Sequence, residues 1–188
     1  MAKRVFIIHG WGGYPDKGWL KWLNKELSKK GFNVYAPEMP DKENPRINDW
    51  VSYLGKIVGD IDKDTYFIGH SIGCQTIIRF LESQKCNAGG VIFVGGWITL
   101  KGLESKEEEE VANPWLNALI NFNKVKNKSK KFIALFSDND PYVPLENAKI
   151  FKDKLNAKII IEKKKGHFIE NVTKTIPVVL KELLKISK

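Results

Sequence analysis

Only two of the 188 residues are cysteines, Cys74 and Cys86. They stand 12 positions apart, in or just after one helical pattern, where a disulfide is geometrically implausible. Reduced thiols in a reducing compartment are expected. Long apolar runs are missing too. Phe132-Ile133-Ala134-Leu135-Phe136 is five residues long, far short of the roughly 20 needed to span a membrane. Val5-Phe6-Ile7-Ile8 is too short for the core of a signal peptide. These absences point to the cytoplasm and to no membrane partner. Arginine is scarce, with none after Arg79, although the net charge is +9. Residues 1–120 hold 15 basic and 15 acidic side chains, whereas residues 121–188 hold 16 basic and 7 acidic. The excess is lysine, without the arginine forks and stacking aromatics of specific nucleic-acid recognition. It reads as solvated helix faces and loops. No metal-ligand constellation is visible among the histidines, cysteines and acids, and no cofactor is expected.

What is present is an alternation. Strand-like runs at 5–8, 33–36, 65–68, 91–94, 132–136 and 158–161 are separated by helical patterns at 19–30, 46–58, 74–83, 145–155 and 173–186. Strands alternating with helices imply an α/β fold with a parallel sheet and right-handed crossovers. At 188 residues the chain fits one domain with a substantial core.

The most informative segment is Gly69-His70-Ser71-Ile72-Gly73, between the apolar run Tyr66-Phe67-Ile68 and a helical pattern. Strand, G-x-S-x-G and helix in that order is the setting of a nucleophile elbow. The turn strains the serine backbone, and neighbouring backbone leaves no room for side chains two residues before and after it. Ser71 is the candidate nucleophile. A glycine-rich turn with a serine N-cap is the plainer reading of these five residues.

Such a serine needs a base and an orienting acid, in the order Ser, Asp or Glu, His for this fold. The acid lies in Ser137-Asp138-Asn139-Asp140-Pro141, after a buried-strand pattern. Asp140 is favoured, because Pro141 fixes the backbone after it. Asp138 stays in reserve, with an Asx turn as its alternative role. The base is His167. All three histidines touch a glycine at a strand end, but His9 precedes the serine and His70 should point away from it. His9-Gly10-Trp11-Gly12-Gly13 follows the first strand, and its backbone can offer an N–H to an oxyanion. The N–H groups of Trp11 and Ile72 together make a two-donor hole. The glycine spacing fits neither dinucleotide-binding nor P-loop patterns.

Residues 97–128 break the rhythm and are expected to form a small lid or insertion at the sheet's C-terminal side. Glu107-Glu108-Glu109-Glu110 reads as a solvated first helical turn. Trp97 and Trp115 are candidates for the pocket roof, with ordinary core or lid packing as the alternative, and His9 and Gly10 are further pocket candidates. Trp19 and Trp22, at helical spacing, should pack on the sheet. Cys74 reads as a small buried residue.

At this point the chain resembles the α/β-hydrolases, and more narrowly the small serine hydrolases of the retinoblastoma-binding protein 9 / YdeN family. The resemblance rests on V-F-I-I-H-G-W-G-G, P-R-I-N-D-W-V-S-Y-L, G-H-S-I-G, S-D-N-D-P-Y-V-P and G-H-F. It implies a six-stranded sheet ordered 2-1-3-4-5-6 with helices on both faces. It also implies Ser71 as nucleophile, His167 as base and Asp140 as acid. The expected activity is hydrolysis of a carboxylic ester or small amide through an acyl-enzyme, with a small acyl compound as partner and a monomer or dimer as assembly. The rival is a slow or inactive protein-binding module on the same scaffold. The 97–128 segment matches no family pattern, so substrate preference is the least transferable property.

Overall fold

The computed structural model describes residues 2–188. Its strands are β1 (Arg4–Ile8), β2 (Asn33–Tyr35), β3 (Thr65–His70), β4 (Gly90–Val94), β5 (Phe132–Ser137) and β6 (Lys158–Glu162). The helices are α1 (Gly18–Lys29), α2 (Ile47–Val58), α3 (Ile72–Ser83), α4 (Lys106–Asn117), α5 (Phe122–Lys126), α6 (Glu146–Leu155) and α7 (Pro177–Ile186). All strand pairs are parallel, in the order β2-β1-β3-β4-β5-β6.

Successive side chains of a strand point to opposite faces, so each strand feeds two cores. Val5, Ile7, Tyr66, Ile68, Ile92 and Val94 pack under α1 and α7, against Trp19, Leu23 and Leu183. Trp22 packs at the edge of the same cluster. Phe6, Ile8, Phe67, Phe93 and Phe136 face the other way, onto Trp50 of α2, Ile77 of α3 and Phe151 of α6. Burial on both faces explains why the central strands are continuously apolar rather than alternating. No helix among the described residues is long and apolar enough to cross a membrane.

β2 lies on one side of β1 and β3 on the other. α1 leaves β1 toward one face, and α3 leaves β3 toward the opposite face. The first turns after β1 and β3 therefore diverge and open a crevice at the C-terminal edge of the sheet, where open α/β folds bind ligands.

Several element ends differ from expectation. α7 starts at Pro177 rather than at 173. A proline disfavours the helical region for the residue before it, and Ile176 lies outside that region at φ −131°, ψ 81°. α3 starts at Ile72, because the turn at Ser71 runs straight into it. The 97–128 segment holds two helices. Ser105 caps α4 in a capping box: its hydroxyl accepts the Glu108 N–H at 3.1 Å, and Glu108 accepts the Ser105 N–H at 3.3 Å. The glutamate run is thus the start of a helix, where carboxylates offset the helix dipole. At the other end of α4, Arg79 of α3 donates to the carbonyls of Trp115 and Ala118, at 2.9 and 3.1 Å.

Candidate active site

β3 ends at His70, and Ser71 turns the chain at φ 51°, ψ −121°. A Cβ at Gly73 would lie 2.5 Å from the Ile8 carbonyl oxygen, and one at Gly69 would lie 2.8 Å from the Cys74 nitrogen. Only glycine fits at either place. The turn is fastened by the Ser71 N–H on the Val94 carbonyl and the Cys74 N–H on the Ser71 carbonyl, both at 2.9 Å. Cys74 itself is buried, and burial pushes its thiol far up from the ordinary value.

Three of the expected side chains meet. His167 Nε2 lies 2.8 Å from Ser71 Oγ, and His167 Nδ1 lies 2.8 Å from Asp140 Oδ2. The other Asp140 oxygen accepts the N–H groups of Tyr142 and Val143 at 2.9 and 3.0 Å. A carboxylate only accepts, so Nδ1 carries the imidazole proton and Nε2 presents a lone pair to the Ser71 hydroxyl. Burial lowers the His167 pKa from its ordinary value. The hydrogen bond to Asp140 opposes this, and the charge of His70 adds to it. The ring is therefore poised to take a proton at neutral pH.

The reserve aspartate has another task. Asp138 Oδ1 accepts the Lys164 N–H at 2.7 Å, Ser137 Oγ accepts the Lys165 N–H at 2.9 Å, and Asn139 Oδ1 accepts the Gly166 N–H at 2.9 Å. Three consecutive side chains after β5 thus tie down the loop that carries His167.

A cavity of about 260 Å³ opens over Ser71. The turn after β1 supplies Gly10, Trp11, Gly12, Gly13 and Tyr14. Residues of the 97–128 segment, Trp97, Leu100, Leu103, Glu108 and Ala112, form another wall. Neither the Trp11 N–H nor the Ile72 N–H has a hydrogen-bond partner among the described residues, and both residues line the cavity beside Ser71.

Two expected pocket residues are elsewhere. His9 is buried behind the turn, its Nδ1 donating to the Gly10 carbonyl at 2.7 Å and its Nε2 accepting the Met39 N–H at 2.8 Å. It continues β1 onto the α2 face, edge-on to Trp50, and burial lowers its pKa. Trp115 is also core. The face of α4 that offers Glu108 and Ala112 to the cavity passes, one turn on, over Trp50 instead. There the Trp115 indole donates to the Pro45 carbonyl at 2.9 Å. Gly10 and Trp97 do line the cavity.

Sequence reasoning set His70 aside and did not single out Glu170. Both line the cavity, and His70 Nδ1 lies 3.0 Å from Glu170 Oε1. The available signal was a titratable residue adjacent to Ser71 at the end of β3 and another three positions after His167 in the loop beyond β6.

The family model for serine hydrolases matches residues 5–177. The chain belongs to the serine hydrolase family. One relative of this serine hydrolase is the ydeN gene product of Bacillus subtilis, 29% identical over 173 residues, which are 91% of this chain and 88% of that one. The crystal structure of that gene product has a TM-score of 0.88 and covers 98% of each chain. The serine hydrolase RBBP9 of Rattus norvegicus is 28% identical over 168 residues, 88% of this chain and 87% of the relative. Est1E of Butyrivibrio proteoclasticus, solved with ferulic acid bound, shares the fold at TM-score 0.77 and 15% identity, over 98% of this chain and 88% of its own. The six-stranded parallel sheet is that of the α/β-hydrolases.

Proposed function

We propose that this serine hydrolase cleaves a carboxylic ester, or a small amide, through an acyl-enzyme on Ser71. The observation that carries the reading is the unbroken series from Asp140 through His167 to Ser71, two contacts of 2.8 Å each. Ser71 Oγ attacks the carbonyl carbon as its proton passes to His167 Nε2. Asp140 keeps the imidazole in the required tautomer and stabilises the imidazolium that forms. The carbonyl oxygen, now negative, receives the free N–H groups of Trp11 and Ile72. Losing one such donor costs about 3 kcal/mol of transition-state stabilisation.

The C–O or C–N bond then breaks, and His167 gives its proton to the leaving group. Water enters, its proton goes to His167, and the acid is released as Ser71 recovers its hydrogen. Trp97, Leu100, Leu103 and Ala112 give the cavity an apolar wall suited to the hydrocarbon part of an acyl group. The 97–128 segment that bears this wall acts as the lid.

The test is labelling with a fluorophosphonate, comparing wild type with Ser71→Ala and His167→Ala. Labelling of wild type alone supports an activated serine with His167 as base. A folded wild type that stays unlabelled and turns over no short-chain p-nitrophenyl ester overturns the proposal. Adding an alcohol or amine during turnover then reports whether water is the preferred acceptor.

A further inference from the structure

The loop after β6 carries His167, and its backbone is strained at the next residue. Phe168 has φ 55° and is fully buried. A bulky residue in that region costs of order 1–3 kcal/mol and persists only where its surroundings hold it. Three bonds from β3 and α1 hold it here. The Trp19 indole donates to the Phe168 carbonyl at 2.8 Å. The Trp19 backbone N–H donates to the Thr173 carbonyl at 3.0 Å. His70 Nε2 donates to the carbonyl of His167 itself at 2.8 Å.

The protons on His70 can be counted. A carbonyl oxygen only accepts, so Nε2 carries a proton. Nδ1 faces Glu170 Oε1 at 3.0 Å, and a carboxylate also only accepts. A neutral imidazole has one N–H and cannot serve both. An imidazolium facing a carboxylate satisfies both ring nitrogens. Both side chains are under a tenth exposed. The charges agree with this count. Burial pulls His70 down, but the charge and hydrogen bond of Glu170 and the His167 carbonyl raise it above its ordinary value. Burial pushes Glu170 up, and the charge and hydrogen bond of His70 bring it below its ordinary value. The other titratable groups around the pair are His9 after β1, Asp140 after β5 and His167 in the same loop. Trp19 of α1 meets the His70 ring edge-on.

The proton transfer from Ser71 to His167 does not use this pair. We infer that the buried His70–Glu170 ion pair is a positioning device, which clamps the backbone of His167 so that its ring stays in line between Asp140 and Ser71. The inference rests on the reading of His167 as the base for Ser71. His70 reaches across from the strand that delivers the nucleophile to the loop that delivers the base. Glu170 keeps it protonated and cancels its charge, so the clamp adds no net charge beside the reacting atoms.

Three variants separate the parts of the clamp. His70→Phe removes the donor to the His167 carbonyl. His70→Gln restores a donor without a ring. Glu170→Gln keeps a hydrogen-bonding partner for Nδ1 but discharges the pair. In His70→Phe, kcat on p-nitrophenyl acetate is expected to fall on the order of tenfold to a hundredfold, because a small misplacement of a reacting group costs that much. KM should change much less than kcat, since the apolar wall of Trp97, Leu100, Leu103 and Ala112 is untouched, and His70→Gln should recover part of the loss. In Glu170→Gln the acid limb of the kcat/KM profile should move to higher pH. Neutral His70 no longer repels a proton on His167, and this outweighs the lost attraction of Glu170.

The second measurement needs no turnover. Imidazole ¹⁵N spectra of wild type should show His70 doubly protonated at pH 7 while His167 carries only its Nδ1 proton. The low-field Nδ1–H signal of His167 should be present in wild type and weakened or lost in His70→Phe. A neutral His70 in wild type overturns the inference, as does a folded His70→Phe with unchanged kcat, pH profile and low-field signal. If wild type labels with no fluorophosphonate, the role of His167 as base fails, and the NMR arms still decide whether His70 holds its ring.

Discussion

Asp140→Asn gives the sharpest prediction about the site. Asp140 holds three protons at once, the His167 Nδ1–H on one oxygen and the N–H groups of Tyr142 and Val143 on the other. An asparagine has a single carbonyl oxygen. If that oxygen stays on the two backbone donors, its NH₂ faces His167 Nδ1. The ring must then carry its proton on Nε2, pointing at Ser71, and it ceases to be a base. If the amide flips instead, the two N–H groups face another donor. Leaving each unsatisfied costs about 1–3 kcal/mol, so the flip is penalised by about 2–6 kcal/mol. The wrong tautomer therefore dominates. A fall in kcat of about 10⁴ is expected, or about 5 kcal/mol of barrier. The assay is steady-state hydrolysis of p-nitrophenyl acetate at pH 7, with circular dichroism to show an intact fold. Asp138→Asn is the matched control. Its side-chain oxygen can still accept the Lys164 N–H, so its activity should stay near that of wild type. An Asp140→Asn enzyme within tenfold of wild type would refute the tautomer argument, and a large loss in Asp138→Asn would reassign the acid.

Other outcomes are also expected. Burial lowers the His167 pKa, and the base must be unprotonated, so kcat/KM should rise with pH through a midpoint below 6.5. A midpoint above 6.5 would contradict that environment. The folded-state pKa of His70 is raised, so its stabilisation is present below 6.5 and lost as pH climbs through the raised value. That of Glu170 is lowered, so its stabilisation is present above 4.5 and lost as pH falls through the lowered value. Removing one partner of a buried pair costs about 3 kcal/mol. Urea titrations of wild type and Glu170→Ala should differ by that order between the two limits and converge outside them. Ser105→Ala removes the cap of α4 and should cost about 1 kcal/mol, read as a shift of the urea midpoint. An unchanged midpoint would mean that α4 contributes nothing to global stability. Ala112→Leu narrows the cavity, so KM for a hexanoate ester should rise more than KM for an acetate ester. Equal changes would place the acyl group elsewhere.

The sheet was legible because its central strands are buried on both faces and therefore read as apolar runs. The meeting of Ser71, Asp140 and His167 was legible for a related reason. Parallel strands deliver all their C-terminal turns to one edge, so polar residues just past apolar runs become neighbours whatever their separation in the chain. Side-chain direction at those turns was not legible. His9 sits at a strand end like the others, yet β1 carries it into the core. Trp115 looked like part of a roof until the length of α4 carried it past the cavity. The His70–Glu170 contact joins positions 100 apart with no motif spacing. It follows only from how the loop after β6 folds back over α1. Helix starts shifted for local reasons, as Pro177 did to α7.

The tie between the turn after β5 and the loop after β6 has a consequence for how the site is assembled. The elbow at Ser71 is completed by Ile8, Val94 and Cys74, all in the N-terminal half. Its activating partners wait in the last third, and His167 reaches its place only when β6 has paired with β5 and residues 164–166 have engaged Ser137, Asp138 and Asn139. Until β6 pairs with β5, Ser71 lacks the loop that places His167 beside it. The turn that presents Ser71 and the loop that brings His167 to it are thus assembled by different contacts, and the second set depends on the β5–β6 edge.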